Sequence, residues 1–130
     1  MKAKPKRVLI AEDNAALARV VQFNLHRSGF ETVIAANGGI AWETATGELF
    51  DAVITDQQMP EMTGVELCRN LRSLPEYRDT PIVMLTAKGL ELELSKLGEE
   101  LGLSATFSKP FSPSKVVQTV EELLAASAAL

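Results

Sequence analysis

The stretch "AVITDQQMPEMTG", residues 52–64, decides the fold. Ala52, Val53 and Ile54 have the character of a strand buried on both faces, and the apolar run breaks off at Asp56. Gln57, Gln58, Met59 and Pro60 then follow, a composition that ends a strand. A buried carboxylate without a partner is costly, so an acid at the tip of an apolar strand implies a cation, hydrogen-bond donors or a reaction at that place. Strands of this continuous apolar kind belong to parallel sheets covered by helices on both faces.

Working outward, short apolar runs alternate with longer stretches of helical periodicity. Arg7 to Ala11, Glu31 to Ala36, Ala52 to Thr55, Ile82 to Leu85 and Ala105 to Ser108 are expected as five strands. Leu17, Val20, Val21 and Leu25 mark one helical face, with Asn14 as N-cap and Gly29 as stop. Further helices are expected over Gly39 to Thr46, Val65 to Leu74 and Leu90 to Leu101; Gly38-Gly39 opens the first of these, lacks the spacing of a dinucleotide or P-loop motif, and reads as the turn that leads into it. A last helix starts at Ser112-Pro113 and carries Val116, Val117, Val120, Leu123 and Leu124. Five βα units in strict alternation predict an α/β doubly wound parallel sheet, a three-layer (βα)5 sandwich.

The bulk numbers agree with one such domain. The 130 residues are 46% hydrophobic and 23% charged, a globular balance. A net charge of −4 and a pI near 5.0 argue against direct binding of nucleic acid. No stretch has the length of a membrane span or a signal-peptide core, so a cytoplasmic protein with no membrane contact is expected. Cys68, the single cysteine, excludes an internal disulfide, and its face, shared with Val65, Leu71 and Arg72, predicts a packed thiol. His26, the single histidine, falls at the end of the first helix and reads as solvated rather than as a phosphodonor. Trp42 is expected on the second helix, away from Asp56.

In doubly wound sheets the functional crevice lies beyond the carboxyl ends of the central strands. The residues expected there are Glu12 and Asp13, Asp56, Thr86 and Lys109, all of them polar. Three carboxylates at one edge repel each other and favour a bound divalent cation. All-oxygen ligands select Mg²⁺ or a similar hard ion, with waters completing its shell. Lys109 and Thr86 offer donors for an anion's oxygens, and Asp56 can be both metal ligand and nucleophile. Together these make a phosphoryl-transfer site.

Glu12-Asp13, the segment Asp56-Gln57-Gln58-Met59-Pro60-Glu61-Met62-Thr63-Gly64, Thr86-Ala87 and Lys109-Pro110-Phe111 resemble, in this order, the response-regulator receiver domain of two-component signalling. The resemblance spans residues 6 to 125 and treats 1–130 as a single receiver domain. It implies a flavodoxin-like fold with strand order 2-1-3-4-5, as in the chemotaxis receiver. It also implies that Asp56 accepts a phosphoryl group from a phosphohistidine on a sensor histidine kinase or a histidine phosphotransfer protein. The metal, Mg²⁺ or Mn²⁺, would be held directly by Asp13 and Asp56, by Glu12 mostly through water, and by the Gln58 backbone carbonyl. Thr86 and Lys109 would hold phosphoryl oxygens, and Lys109-Pro110 would be a cis peptide. Gln58 and Lys88 occupy the positions that tune phosphoryl lifetime in this family. Such a domain is no enzyme in the usual sense; it catalyses its own phosphorylation and dephosphorylation and acts on a downstream protein or output domain.

Two other functions compete. An aspartyl-phosphate phosphatase of haloacid-dehalogenase type would have a second aspartate two residues after the nucleophile, where this chain has Gln58. A pseudo-receiver would have lost the acidic pair, the acceptor or the lysine, all of which are kept. One departure from the family stands out: the position three before the lysine, commonly Tyr or Phe, is Thr106. Phe107 cannot replace that ring, because neighbouring strand residues point to opposite faces. The coupling from Thr86 to the face of the fourth helix, fifth strand and fifth helix is therefore expected to be weaker or differently routed.

Overall fold

Two strands form unbroken rows of buried residues, β3 (Ala52–Asp56) and β4 (Ile82–Thr86), and β1 (Arg7–Ala11) is buried from Val8 onward. Helices on both faces shield these strands from water, as their apolar sequence requires. The computed structural model describes residues 4–87, 96 and 98–128. β2 (Glu31–Ala35) and β5 (Ala105–Ser108) complete a fully parallel sheet of order β2-β1-β3-β4-β5. The helices are α1 (Ala15–Arg27), α2 (Gly38–Gly47), α3 (Gly64–Arg72), α4, of which residues 96 and 98–101 are described, and α5 (Pro113–Ala128). The winding reverses between β1 and β3, so the crevice of this fold opens at the ends of those two strands.

Strand alternation divides the apolar interior in two. Leu9, Ala11, Val53, Ile82 and Met84 face α2, α3 and Leu101, in one cluster with Ala41, Ala45, Leu67, Cys68 and Leu71. Val8, Ile10, Ala52, Ile54, Val83 and Leu85 face α1 and α5, in another with Ala18, Val21, Leu25, Val116 and Val120. Cys68 is buried in the first cluster as expected, and Trp42 packs against the same side from α2. Phe107 packs on the second cluster while Thr106 is exposed, so the two do point to opposite sides of β5. His26 is exposed, its Nε2 2.8 Å from the Thr32 hydroxyl.

Several boundaries differ from the sequence expectation. β2 ends at Ala35, and Asp56 and Thr86 are the last residues of their strands rather than the first residues beyond them. α3 stops at Arg72, and Pro75–Tyr77 form a separate turn of 3-10 helix that buries the Tyr77 ring. Arg72 is drawn into that stop: Nε donates to Leu101 O at 2.9 Å, Nη2 to Gly102 O at 2.8 Å and Nη1 to Tyr77 O at 2.5 Å. α2 starts at Gly38, one residue before the expected Gly39, so the glycine pair that opens it is helical rather than a turn, with Asn37 accepting from the Ile40 amide at 2.8 Å. The expected helix from Leu90 has only its end, residues 98–101, and residue 96 within the described residues.

Candidate functional site

Register brings the acids together. Ala11 pairs with Thr55, so the next residues, Glu12 and Asp56, leave adjacent strands at the same level. Glu12 continues the ladder by donating its amide to Ala35 O at 3.1 Å, which points the chain over the sheet edge. Asp13 follows in a bend and is exposed, and Asn14 caps α1 by accepting from the Leu17 amide at 3.1 Å. Carboxylate oxygens of Glu12, Asp13 and Asp56 all lie within 4.8 Å of one another. Of the three, Glu12 is 1% exposed and Asp56 3% exposed.

Lys109 arrives from the end of β5. Its amide donates to Thr86 O at 2.8 Å, and the Lys109-Pro110 peptide is cis, as the resemblance implied. Its Nζ lies 3.1 Å from Glu12 Oε1 and 3.3 Å from Asp56 Oδ1, so one ammonium bridges two buried acids. Thr86 is fully buried at the tip of β4, with its hydroxyl donating to Ala87 O over a long 3.4 Å. That weak bond leaves the hydroxyl free to turn towards a better acceptor. Gln58 is exposed in the loop after β3, and Lys88 lies outside the described residues.

The loop after Asp56 is built to return quickly to helix. Gln57 donates its amide to Leu85 O at 2.9 Å and accepts at both its carbonyl and its side chain, from Gly64 N at 3.0 Å and Val65 N at 2.8 Å. A side chain at Gly64 would collide with the Asp56 carbonyl and with Met84 Sδ, which is why this position is glycine. Thr63 and Glu66 then form a capping box on α3, worth about 1 kcal/mol to the helix.

Electrostatics follow from this crowding. Burial, first, and the neighbouring Asp56 carboxylate push the Glu12 carboxyl up to about 7, against the opposing pull of Lys109. Burial would lower the Lys109 ammonium, but its bond to Glu12 and the charges of Asp56 and Glu12 outweigh it, and the net direction is upward. Glu12 Oε2 is buried with no hydrogen-bond partner among the described residues. An orphaned carboxylate oxygen inside an all-oxygen triad of acids fits a hard divalent cation.

The model of the response regulator receiver domain family matches residues 8–121. The chain belongs to that family. This receiver domain is 36% identical over 119 residues to the alkaline phosphatase synthesis transcriptional regulatory protein PhoP of Bacillus subtilis, covering 92% of the chain and 48% of that protein. It is 38% identical over 117 residues to the transcriptional regulatory protein SrrA of Staphylococcus aureus, covering 90% and 47%. The chain thus spans about half the length of the curated relatives it matches. Among solved structures it resembles the chemotaxis response regulator CheY4 of Vibrio cholerae, with a TM-score of 0.84 at 32% identity over 92% of this chain and 98% of that one. A CheY-like receiver domain protein of Methanospirillum hungatei gives 0.87 at 27% identity, over 96% and 98%. The family and the five-stranded order stand as the sequence implied.

Of the residues singled out in the sequence, Glu12, Asp13, Asp56 and Lys109 meet at one point, and Thr86 joins them through its carbonyl. Sequence reasoning did not isolate Glu61, the one non-glycine residue with positive φ (74°) among the described residues, which sits in the loop after Asp56. No composition signal marks it, because glutamate is not a residue that favours that conformation. Among the described residues no helix is long and apolar enough to cross a membrane.

Proposed function

We propose that this chain is a phosphorylation-switched receiver in which Asp56 takes a phosphoryl group from a phosphohistidine. The observation that carries the reading is the Lys109 ammonium set between the buried Glu12 and Asp56 carboxylates at the sheet edge. An Asp56 oxygen attacks phosphorus, the P–N bond opens, and its electron pair returns to the donor imidazole, which takes up a proton. Lys109 and the Thr86 hydroxyl would hold the oxygens of the transferred group, and closing the Lys109 contact offsets the charge that Asp56 gains. Asp13, Asp56 and the Gln58 carbonyl would hold Mg²⁺ or Mn²⁺, with Glu12 reaching it through water. When bound, that ion offsets charge shared between the acceptor and the phosphoryl oxygens.

The donor would be a sensor histidine kinase or a histidine phosphotransfer protein. An apolar groove of about 370 Å³, lined by Ala16, Leu17, Val20, Pro110 and Phe111, runs up to Lys109 and offers such a partner a seat beside the acceptor. Residues 1–130 would act as one domain in the cytoplasm, signalling to an output domain or separate protein through contacts rather than by touching nucleic acid. The test is the intact mass after incubation with Mg²⁺ and a small acyl phosphate. One acid-stable, base-labile phosphoryl adduct is expected, absent from Asp56→Asn. Stoichiometric labelling of that variant elsewhere overturns the assignment.

A further inference from the structure

Two consecutive glycines at the start of α2 are poor helix formers and need another reason to be there. The structure supplies one in the neighbouring loop. Met62 donates its amide to Pro60 O at 2.8 Å, closing a three-residue turn around Glu61 with φ 74°. That is the rare form of γ-turn, strained for any residue bearing a side chain. The same Pro60 carbonyl accepts the Gly38 amide at 3.3 Å, so the first turn of α2 is seated on the strained turn. A Cβ at Gly38 would lie 2.6 Å from both the carbonyl carbon and the Cβ of Met62 and closer still to the Met62 carbonyl oxygen. Main-chain atoms cannot swing away as a side-chain tip can, so the loop itself would have to move. Gly39 is less constrained, with its nearest would-be contacts at 3.3 Å.

The loop between Asp56 and α3 therefore has two fixed points. Gln57 is pinned to Leu85 and Gly64, and Pro60 is pinned to Gly38. Gln58 and Met59 span the interval, with Met59 buried in the core beneath. We infer that Gly38 is a positioning residue: by letting α2 close onto the Pro60–Glu61–Met62 turn, it sets where the Gln58 main chain stands beside Asp56. The inference rests on the proposed function, in which the Gln58 carbonyl is a metal ligand. A group that orients a metal ligand typically changes affinity by about 10- to 100-fold when altered.

The test compares Gly38→Ala with Gly47→Ala and with the double variant. Gly47, at the far end of α2, has nothing within 4 Å of a would-be Cβ, so it supplies helix stability without touching the loop. Mg²⁺ affinity is measured by calorimetry, and amide shifts of residues 57–62 are read by NMR in the metal-free protein. Gly47→Ala should bind Mg²⁺ as the parent does. The double variant should bind about tenfold more weakly at least, with loop amides already displaced before metal is added. A folded double variant with parental affinity and unmoved loop amides overturns the inference. If Gly38→Ala does not fold in either background, Asn37→Ala loosens the same first turn without adding an atom; parental Mg²⁺ affinity in that variant also overturns it. Failure of the parent chain to bind Mg²⁺ would instead strike at the proposed function.

Discussion

Glu12→Gln should make the metal-free protein more stable at pH 8. The Glu12 carboxyl, ordinarily near 4.5, is raised to about 7 in the folded chain by burial and by Asp56. A group with a raised acid pKa binds more protons folded than unfolded between those values, so stability falls as pH rises through that interval and is level above it. The full separation corresponds to roughly 3 kcal/mol at about 1.4 kcal/mol per tenfold. Lys109 beside it is a third exposed, which admits water to the mouth of the site, so about half of that, ~1–2 kcal/mol, is the expected effect. Glutamine keeps an oxygen for Lys109 and removes the charge that repels Asp56. For a domain of this length the gain is a rise in Tm of roughly 5 °C at pH 8 in the presence of a chelator. Urea titrations of both proteins from pH 5.5 to 8 give the comparison, and the difference between their slopes isolates this one group. Parallel slopes, or a glutamine variant less stable than the parent at pH 8, would refute the reasoning. Saturating Mg²⁺ should narrow the difference, because the ion offsets the charge of Glu12 in the parent while both proteins keep Asp13, Asp56 and the Gln58 carbonyl to hold it.

Three further outcomes can be checked. Tyr77→Phe removes a buried hydroxyl lying 2.7 Å from Ala45 O and 3.0 Å from Glu48 O, and urea unfolding should show a loss of about 1–2 kcal/mol with the phosphoacceptor chemistry untouched. Arg72→Met abandons carbonyls of Leu101, Gly102 and Tyr77, and a loss of about 2–4 kcal/mol is expected, with faster hydrogen exchange around residues 98–103; a loss below about 0.5 kcal/mol would show that those bonds carry no stability. Beryllofluoride should shift NMR signals near Thr86 more than those of β5 and α5; large shifts through β5 and α5 that persist in Thr106→Ala would show that the switch needs nothing at Thr106.

How much of this was legible before the fold was known differs by residue. The central strands were, because burial on both faces leaves an apolar run that little else produces, and the acids at their tips follow from the βα alternation, whereas the strand order itself came only with the family resemblance. Asp56 and Thr86 were placed one step too far out, since polar side chains at a buried strand end look like the start of a loop. Arg72 enters the sequence reading only as a neighbour of Cys68 on one helical face; its partners are main-chain carbonyls up to 30 residues away, which carry no side-chain signature. Gly38-Gly39 was placed at the opening of α2, but why glycine stands there was hidden for the same reason. Local propensity says turn, and the decisive contact is with Met62, 24 residues on along the chain, which no local rule can weigh.

The sheet also separates two apolar compartments that, among the described residues, share no side chain. A truncation such as Leu67→Ala disturbs the one beneath α2 and α3, and Leu25→Ala the one beneath α1 and α5. Defects that share neither neighbours nor cavities add with little interaction. Each layer of helices can therefore drift, or be redesigned, on its own schedule. In the proposed function, the surface offered to a phosphodonor belongs to one layer and the loop beside Asp56 to the other, so partner choice and chemistry would be open to separate selection within one small domain.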